Sequence, residues 1–246
     1  MLNSKKITKR LRILTLSFII FSLFTAITNT IVLWFFLILV FSIILIYKNK
    51  NNLKKKDILI SLLLSAIVMI SNVFMGIFVF PAYLASVAVL KEKDKEIALY
   101  NKSNKKEFQW TLLCIFIFGG LLACLNLLLA INEYQISLSF QPAFIFDALK
   151  AGIFEEIIFR MFLFALCIEI TGNVSYNKFQ EILCYILMVL PHVLVHFTGT
   201  IDFVSVIILS IFFGLPFSFM QRKLNLLSAI CAHSMVDFIR FIVLGI

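Results

Sequence analysis

Gly152-Ile-Phe-Glu155-Glu156-Ile-Ile-Phe-Arg160-Met-Phe-Leu-Phe164 sets two adjacent carboxylates and a guanidinium inside an otherwise unbroken apolar run. Charges at such positions are rare and costly, and they face a protein interior or a water-filled cavity. The stretch therefore reads as a buried or membrane-spanning helix that carries a functional site. On a helix, Glu156 and Arg160 stand four residues apart on one face and can pair, while Glu155 points about 100° away with its charge free for other work.

The rest of the 246 residues agrees with that reading. Hydrophobic residues make up 62% of the chain and charged residues only 14%, and the mean hydropathy is +1.04. A soluble domain carries roughly 25% charged residues. The composition predicts an all-α, polytopic transmembrane helix bundle, and no internal repeat is visible. The net charge of +9 comes from lysines and arginines clustered between apolar runs. That pattern fixes topology and contacts anionic lipid, and it makes nucleic acid an unexpected partner. The five cysteines show no CxxC spacing, which suits small apolar packing better than disulfides or a thiolate metal site.

In chain order, Lys5, Lys6, Lys9, Arg10 and Arg12 precede an apolar run over 13–27 with no small-residue cleavage site after it, so this is an uncleaved first span with a cytoplasmic N-terminus. A second span covers 31–47, and the lysines of 48–56 return the chain to the cytoplasm. The run 58–90 exceeds the roughly 20 residues of a single crossing. Asn72, Gly76 and Pro81 interrupt it, and six lysines over 91–106 favour a hairpin over one long tilted span. Further spans are expected at 108–131, 143–170, 182–197, 204–220 and 226–244, for a total of eight or nine. Residues 1–107 would form N-terminal spans with basic loops and 108–246 the functional core. The later connections with Lys178, Arg222 and Lys223 read as internal, and those with Glu133 and Asp202 as external.

Three polar features compete with structural explanations. Glu156 with Arg160 could be an ion pair that locks two helices, and Asp147 with Lys150 reads as such a pair. Glu155 has no local partner, and a buried carboxyl of that kind suits a general base. The three histidines all lie in the C-terminal third: His192 and His196 share a helix face just after Pro191, and His233 precedes Asp237 by four residues. The first spacing suits metal ligation or a base with its orienting neighbour. In the second, Asp237 could fix the imidazole or pair with Arg240.

At these residues the sequence resembles the CAAX-processing and bacteriocin-processing intramembrane endopeptidases, the Abi family. That family carries EExxxR, FxxxH, and HxxxN or HxxxD on successive spans, and the chain shows Glu155-Glu156-x-x-x-Arg160, then His196, then His233-x-x-x-Asp237. The resemblance covers 143 to the end. It departs at the second motif, where His192 stands four before His196 in place of the usual phenylalanine. His196 is taken as the motif histidine, with His192 as the alternative.

The resemblance implies peptide-bond hydrolysis in or beside the membrane. Glu155 and His196 would activate water, His233 and Asp237 would stabilise the oxyanion or complete the network, and Glu156 with Arg160 would hold the site's shape. No cofactor is expected; in a zinc-dependent variant of the mechanism the ligands would be Glu155, His196 and His233. Substrates would be membrane-associated leader, signalling or bacteriocin-type peptides, in maturation or self-immunity, or lipidated C-termini. Richness in Lys, Ile, Asn and Phe suggests an AT-rich bacterial genome and a multi-pass protein of the cell membrane. A non-catalytic scaffold that binds a sensor kinase or export partner is the competing class. A proton-coupled transporter would also place Glu and His in spans, but it would usually show repeated halves.

Overall fold

The computed structural model describes residues 3–93, 105–131, 134–172 and 175–245. Over those residues the chain is helical, in nine rods. These are α1 (Ser4–Thr28), α2 (Val32–Asn49), α3 (Lys55–Ser71), α4 (Val73–Lys93), α5 (Lys105–Ala130), a rod made of α6 (Ala143–Glu155) and α7 (Leu163–Thr171), α8 (Lys178–Leu194), a rod made of α9 (Phe203–Leu209) and α10 (Leu215–Lys223), and α11 (Leu226–Leu244). The two composite rods are continuous through π-helical segments, Glu156–Phe162 and Ser210–Gly214.

Six helices are long and apolar enough to cross a membrane: Ser4–Thr28, Val32–Asn52, Val73–Lys91, Phe108–Ala130, Phe203–Lys223 and Leu226–Leu244. That is fewer than the eight or nine spans expected. The physical reasons are local. Asn72 stops α3 at 17 residues, α8 ends after 17 just past Pro191, and the first π segment divides the α6–α7 rod into shorter α-helical pieces.

Polarity is arranged as a bilayer requires. Ile13, Leu16, Ile20, Phe24 and Ile27 form an exposed stripe down α1, and α5 exposes Trp110, Phe116, Leu121 and Leu128. Small hydroxyl residues are buried instead, among them Ser22, Ser42, Ser61, Ser65, Ser86 and Ser228. In lipid there is no hydrophobic drive between helices, so close approach of small residues and interhelical hydrogen bonds hold the contacts. The α3–α4 hairpin shows this directly. Ser65 Oγ donates to Gly76 O and Ser61 Oγ to Phe80 O, both at 2.7 Å. A Cβ on Gly76 would run into Met69.

The helix ends sort into two faces. On one, Arg10 donates to Ile170 O at 2.6 Å, Gln180 Nε2 to Ser4 O at 3.2 Å, Arg222 pairs with Glu181 at 3.1 Å and Asn225 donates to Thr111 at 2.9 Å. On the other, Gly199 N donates to Ala26 O at 2.9 Å, Ser137 N to Val243 O at 3.0 Å, and Ser71 bonds Asp147, which also holds Lys150 at 3.2 Å. The Asp147–Lys150 pair is thus part of the scaffold. Glu133 and residues 94–104, which hold part of the lysine-rich loop, lie outside the described residues. Cys167 and Cys184 are buried, Cys114 and Cys231 half-buried, and Cys124 exposed on α5.

An aromatic chain ties the N-terminal helices to the charged stretch. Trp34 sits 5.7 Å from Phe18, 5.2 Å from Phe21 and 5.3 Å from Phe159 of the first π segment, ring centre to ring centre. Phe159 in turn lies 5.2 Å from the His192 ring.

Candidate active site

Three rods deliver the polar groups. Glu155 closes α6, Glu156 and Arg160 lie in the π segment that follows, His192 occupies the last turn of α8, His196 follows two residues after its end, and His233 and Asp237 share one face of α11. Widened i→i+5 turns of this kind occur mostly at functional positions. Two close helix approaches fix the spacing. A Cβ on Gly152 would collide with Ser234 and lie 2.7 Å from Ile230 O on α11, and one on Gly214 would lie 2.5 Å from Val189 Cγ1 on α8.

The floor of the site is an ion pair. Arg160 Nη1 donates to Glu156 Oε1 at 2.5 Å, with both side chains fully buried. His233 Nδ1 lies 2.8 Å from the same oxygen, and its ring stacks on Phe217 at 4.7 Å and 6°. Arg160 also lies over Phe217, at 5.5 Å. Glu156 Oε2 and Arg160 Nε have no hydrogen-bond partner among the described residues.

Above that floor stands Glu155. Its Oε2 is 2.5 Å from His192 Nε2, 3.5 Å from His233 Nε2 and 3.9 Å from His196 Nε2. Every expected site residue is therefore gathered in one place, and of the two candidate histidines His192 is the one in direct contact with Glu155. His196 is 49% exposed and reaches His192 Nε2 at 3.3 Å. Asp237 Oδ2 faces His233 Nε2 at 3.6 Å.

The donors and acceptors fix the tautomers. Arg160 Nη2 lies 3.1 Å from His192 Nδ1, and a guanidinium only donates, so Nδ1 must accept. A neutral His192 then carries its proton on Nε2 and donates it to Glu155. His233 faces a carboxylate oxygen with Nδ1, so Nδ1 donates and Nε2 is turned toward Glu155 and Asp237.

The same inventory tests a metal. Among the described residues the compact group of possible ligands is Glu155, His192 and His196, without the His233 of the expected set. A ligating histidine needs a lone pair on the metal side and normally donates its other N–H to an acceptor. His192 has the reverse: Arg160 occupies Nδ1 as a donor, which leaves the proton on the nitrogen that faces Glu155. The group does not fit a metal through His192.

The site lines a cavity of about 280 Å³ between α5, α8, the α9–α10 rod and α11. Asn126 of α5, Phe217 and Arg240 complete its wall. Asn126 and Phe217 did not stand out as site residues in the sequence, because each lies in an apolar run without a motif. Asn126 offers an amide to the cavity, and Arg240, expected as an alternative partner for Asp237, makes no ion pair with it and lies 5.8 Å from the Tyr134 ring.

Residues 137–239 match the family model described as type II CAAX prenyl endopeptidase Rce1-like. Over this segment the chain is similar to that family. No curated protein and no solved structure matches the chain. The matched segment runs from just ahead of α6 into α11 and holds all three motifs. The family is one of proteases, which agrees with a multi-pass membrane protease acting on peptide or protein.

Proposed function

We propose that this protein is a metal-independent intramembrane endopeptidase in which Glu155 is the general base. The observation that carries the reading is the His192–Glu155 contact at 2.5 Å, with His192 held from behind by Arg160 at 3.1 Å. His192 donates to one carboxylate oxygen and leaves the other to accept a proton from water. The water oxygen attacks the peptide carbonyl carbon and Glu155 takes the proton. The carbonyl oxygen gains the charge, and the C–N bond then breaks as the leaving amine receives that proton from Glu155. A positioned base of this kind contributes about 10²–10⁴-fold.

Oxyanion donors come from the cavity wall. Asn126 donates as it stands, His233 donates through Nε2 when protonated, and Asp237 can donate only when protonated. Glu156 and Arg160 hold His233 and His192 in register, and His196 forms the outer lip of the site. Supporting the wider assignment, all nine rods alternate between the two faces, so we read nine spans with the N-terminus in the cytoplasm. A groove of about 620 Å³ beside Lys5, Lys9 and Arg12 on α1 suits anionic lipid headgroups. Membrane-associated leader, signalling or bacteriocin-type peptides are the proposed substrates, with CAAX-type processing as the second reading because of the matched family.

The test is Glu155→Gln in cells, with membrane abundance followed beside wild type. Normal abundance with accumulation of an unprocessed peptide supports hydrolysis. Intact function at normal abundance favours a non-catalytic scaffold that binds a membrane partner. Chelator-washed protein that retains a stoichiometric zinc, lost in His196→Ala, would overturn the metal-free mechanism.

A further inference from the structure

The chain's basic residues lie toward one of the two faces almost without exception. Every lysine and arginine apart from Lys150, Arg160 and Arg240 lies in or beside the N-terminal segment or the connections 48–56, 91–106, 172–178 and 221–225. The described parts of those segments share one face. The opposite connections, around Asn29, Asn72, 131–142 and 195–202, contain no lysine or arginine. The three exceptions sit inside helices: Lys150 is paired with Asp147, Arg160 with Glu156, and Arg240 lines the cavity. Short loops rich in lysine and arginine stay in the cytoplasm.

The cavity belongs to the other face. A second hollow of about 300 Å³ shares Asn126, Leu209 and Arg240 with it and runs on to Ala130, the last residue of α5, to Tyr134, and to Ser205 in the first turn of α9. All of these mark helix ends away from the basic face. His196, beyond the end of α8, is half exposed there. On the basic side of Glu155 the rods instead close over Phe162, Phe164 and Leu226, which are fully buried. At 1.5 Å per residue, Asp237 lies about 10 Å and His233 about 16 Å from that outer end of α11.

We infer that the active-site cavity opens to the extracytoplasmic side of the membrane, through the cleft between α5 and α9. This rests on the protease reading for its meaning: the substrate class becomes a peptide segment exposed at, or lying in, the outer half of the bilayer. A segment delivered from the cytoplasm would have to cross the closed part of the bundle before its scissile bond reached Glu155.

Thiol accessibility tests this without reference to catalysis. In the full-length chain with its five cysteines replaced, single cysteines are placed by Ser205→Cys at the cleft, Ser137→Cys on the connection after α5, and Asn51→Cys on the basic face. A membrane-impermeant maleimide on intact cells should label Ser205→Cys and Ser137→Cys at least tenfold more than Asn51→Cys, which should react only after permeabilisation. The reverse pattern overturns the inference, and so does labelling at position 137 without labelling at 205. If the cysteine-free chain fails to accumulate, periplasmic-active and cytoplasmic-active reporters fused after Asn51 and after Ser137 of the natural chain read the same sidedness. Labelling as expected with processing indifferent to Glu155→Gln sinks the protease reading alone. Processing that depends on Glu155 with labelling reversed sinks only the orientation.

Discussion

Two buried charge sets, one in each half of the molecule, differ in what surrounds them. In the N-terminal half, Asp57 at the start of α3 is buried. It accepts from Lys54 N at 2.7 Å and pairs with Lys91 of α4. Its partners close the helix end and the hairpin. In the C-terminal half, Glu155, Glu156, Arg160, His192 and His233 form a set with more capacity than partners. Glu156 Oε2 and Arg160 Nε remain unpaired, and Glu155 faces a hollow. A charge whose bonds are all met by its own fold is scaffold. One that keeps bonding capacity beside a cavity is equipped to meet a substrate.

That difference predicts unequal effects of substitutions around the cavity. His192→Ala should reduce peptide processing by about 10²-fold, because it removes the donor that orients the Glu155 base. His196→Ala should cost less than about tenfold, since it touches Glu155 only at 3.9 Å. Rates measured on detergent-purified protein at matched folding decide between them. Equal losses, or a larger loss for His196, would return the motif role to His196 and break the geometric assignment.

Next in size is Gly152→Ala, which adds one methyl group and removes no polar group of the site. That carbon would meet Ser234 and Ile230 O and push α6 off α11. Overpacking of this kind costs about 1–3 kcal/mol, and it also pulls Glu156 from His233. The expected result is a lowered Tm together with a fall in kcat of about tenfold or more, whereas Gly76→Ala in the N-terminal hairpin should lower Tm and leave the kcat of the folded fraction alone. A Gly152→Ala protein with full activity would show that the helix crossing does not set the site.

What was legible in the sequence follows the same divide. Apolar runs and lysine clusters sufficed for an all-helical membrane chain, because lipid allows few alternatives to a helix. The motif spacing placed Glu155, Glu156, Arg160, His233 and Asp237 together, since i,i+4 pairs on successive spans converge when the spans pack. Choosing between His192 and His196 needed more. Both would share one face of a continued α8, but the helix ends at Leu194, just past Pro191, so His196 lies beyond it and is half exposed. Asn126 carries no local pattern, and Arg240 was legible only as a possible partner of Asp237; their place in the cavity wall depends on how α5 and α11 pack, which periodicity does not encode. The π segment was equally hidden, because Glu156–Phe162 reads as an ordinary helical run.

The smallest effect should come from the other member of the comparison. Asp57→Asn keeps the side chain's shape and its ability to accept from Lys54 N, while removing the charge opposite Lys91. Lys91 is 31% exposed and can turn to water or to lipid phosphate, so the loss of the pair should cost about 1 kcal/mol or less. Since Asp57 lies at the lysine-rich ends of the helices and touches none of the groups around Glu155, kcat and KM should both stay within about twofold of wild type, a tolerance set by the few tenths of a kcal/mol typical of uncoupled distant sites. A pronounced fall in kcat for Asp57→Asn at unchanged Tm would mean that the hairpin transmits to the active site. The physical route is α4, which packs against the π segment that holds Glu156 and Arg160. Closed bonding of a buried charge would then no longer be sufficient to mark it as scaffold, and the distinction between the two halves would have to rest on the cavity alone.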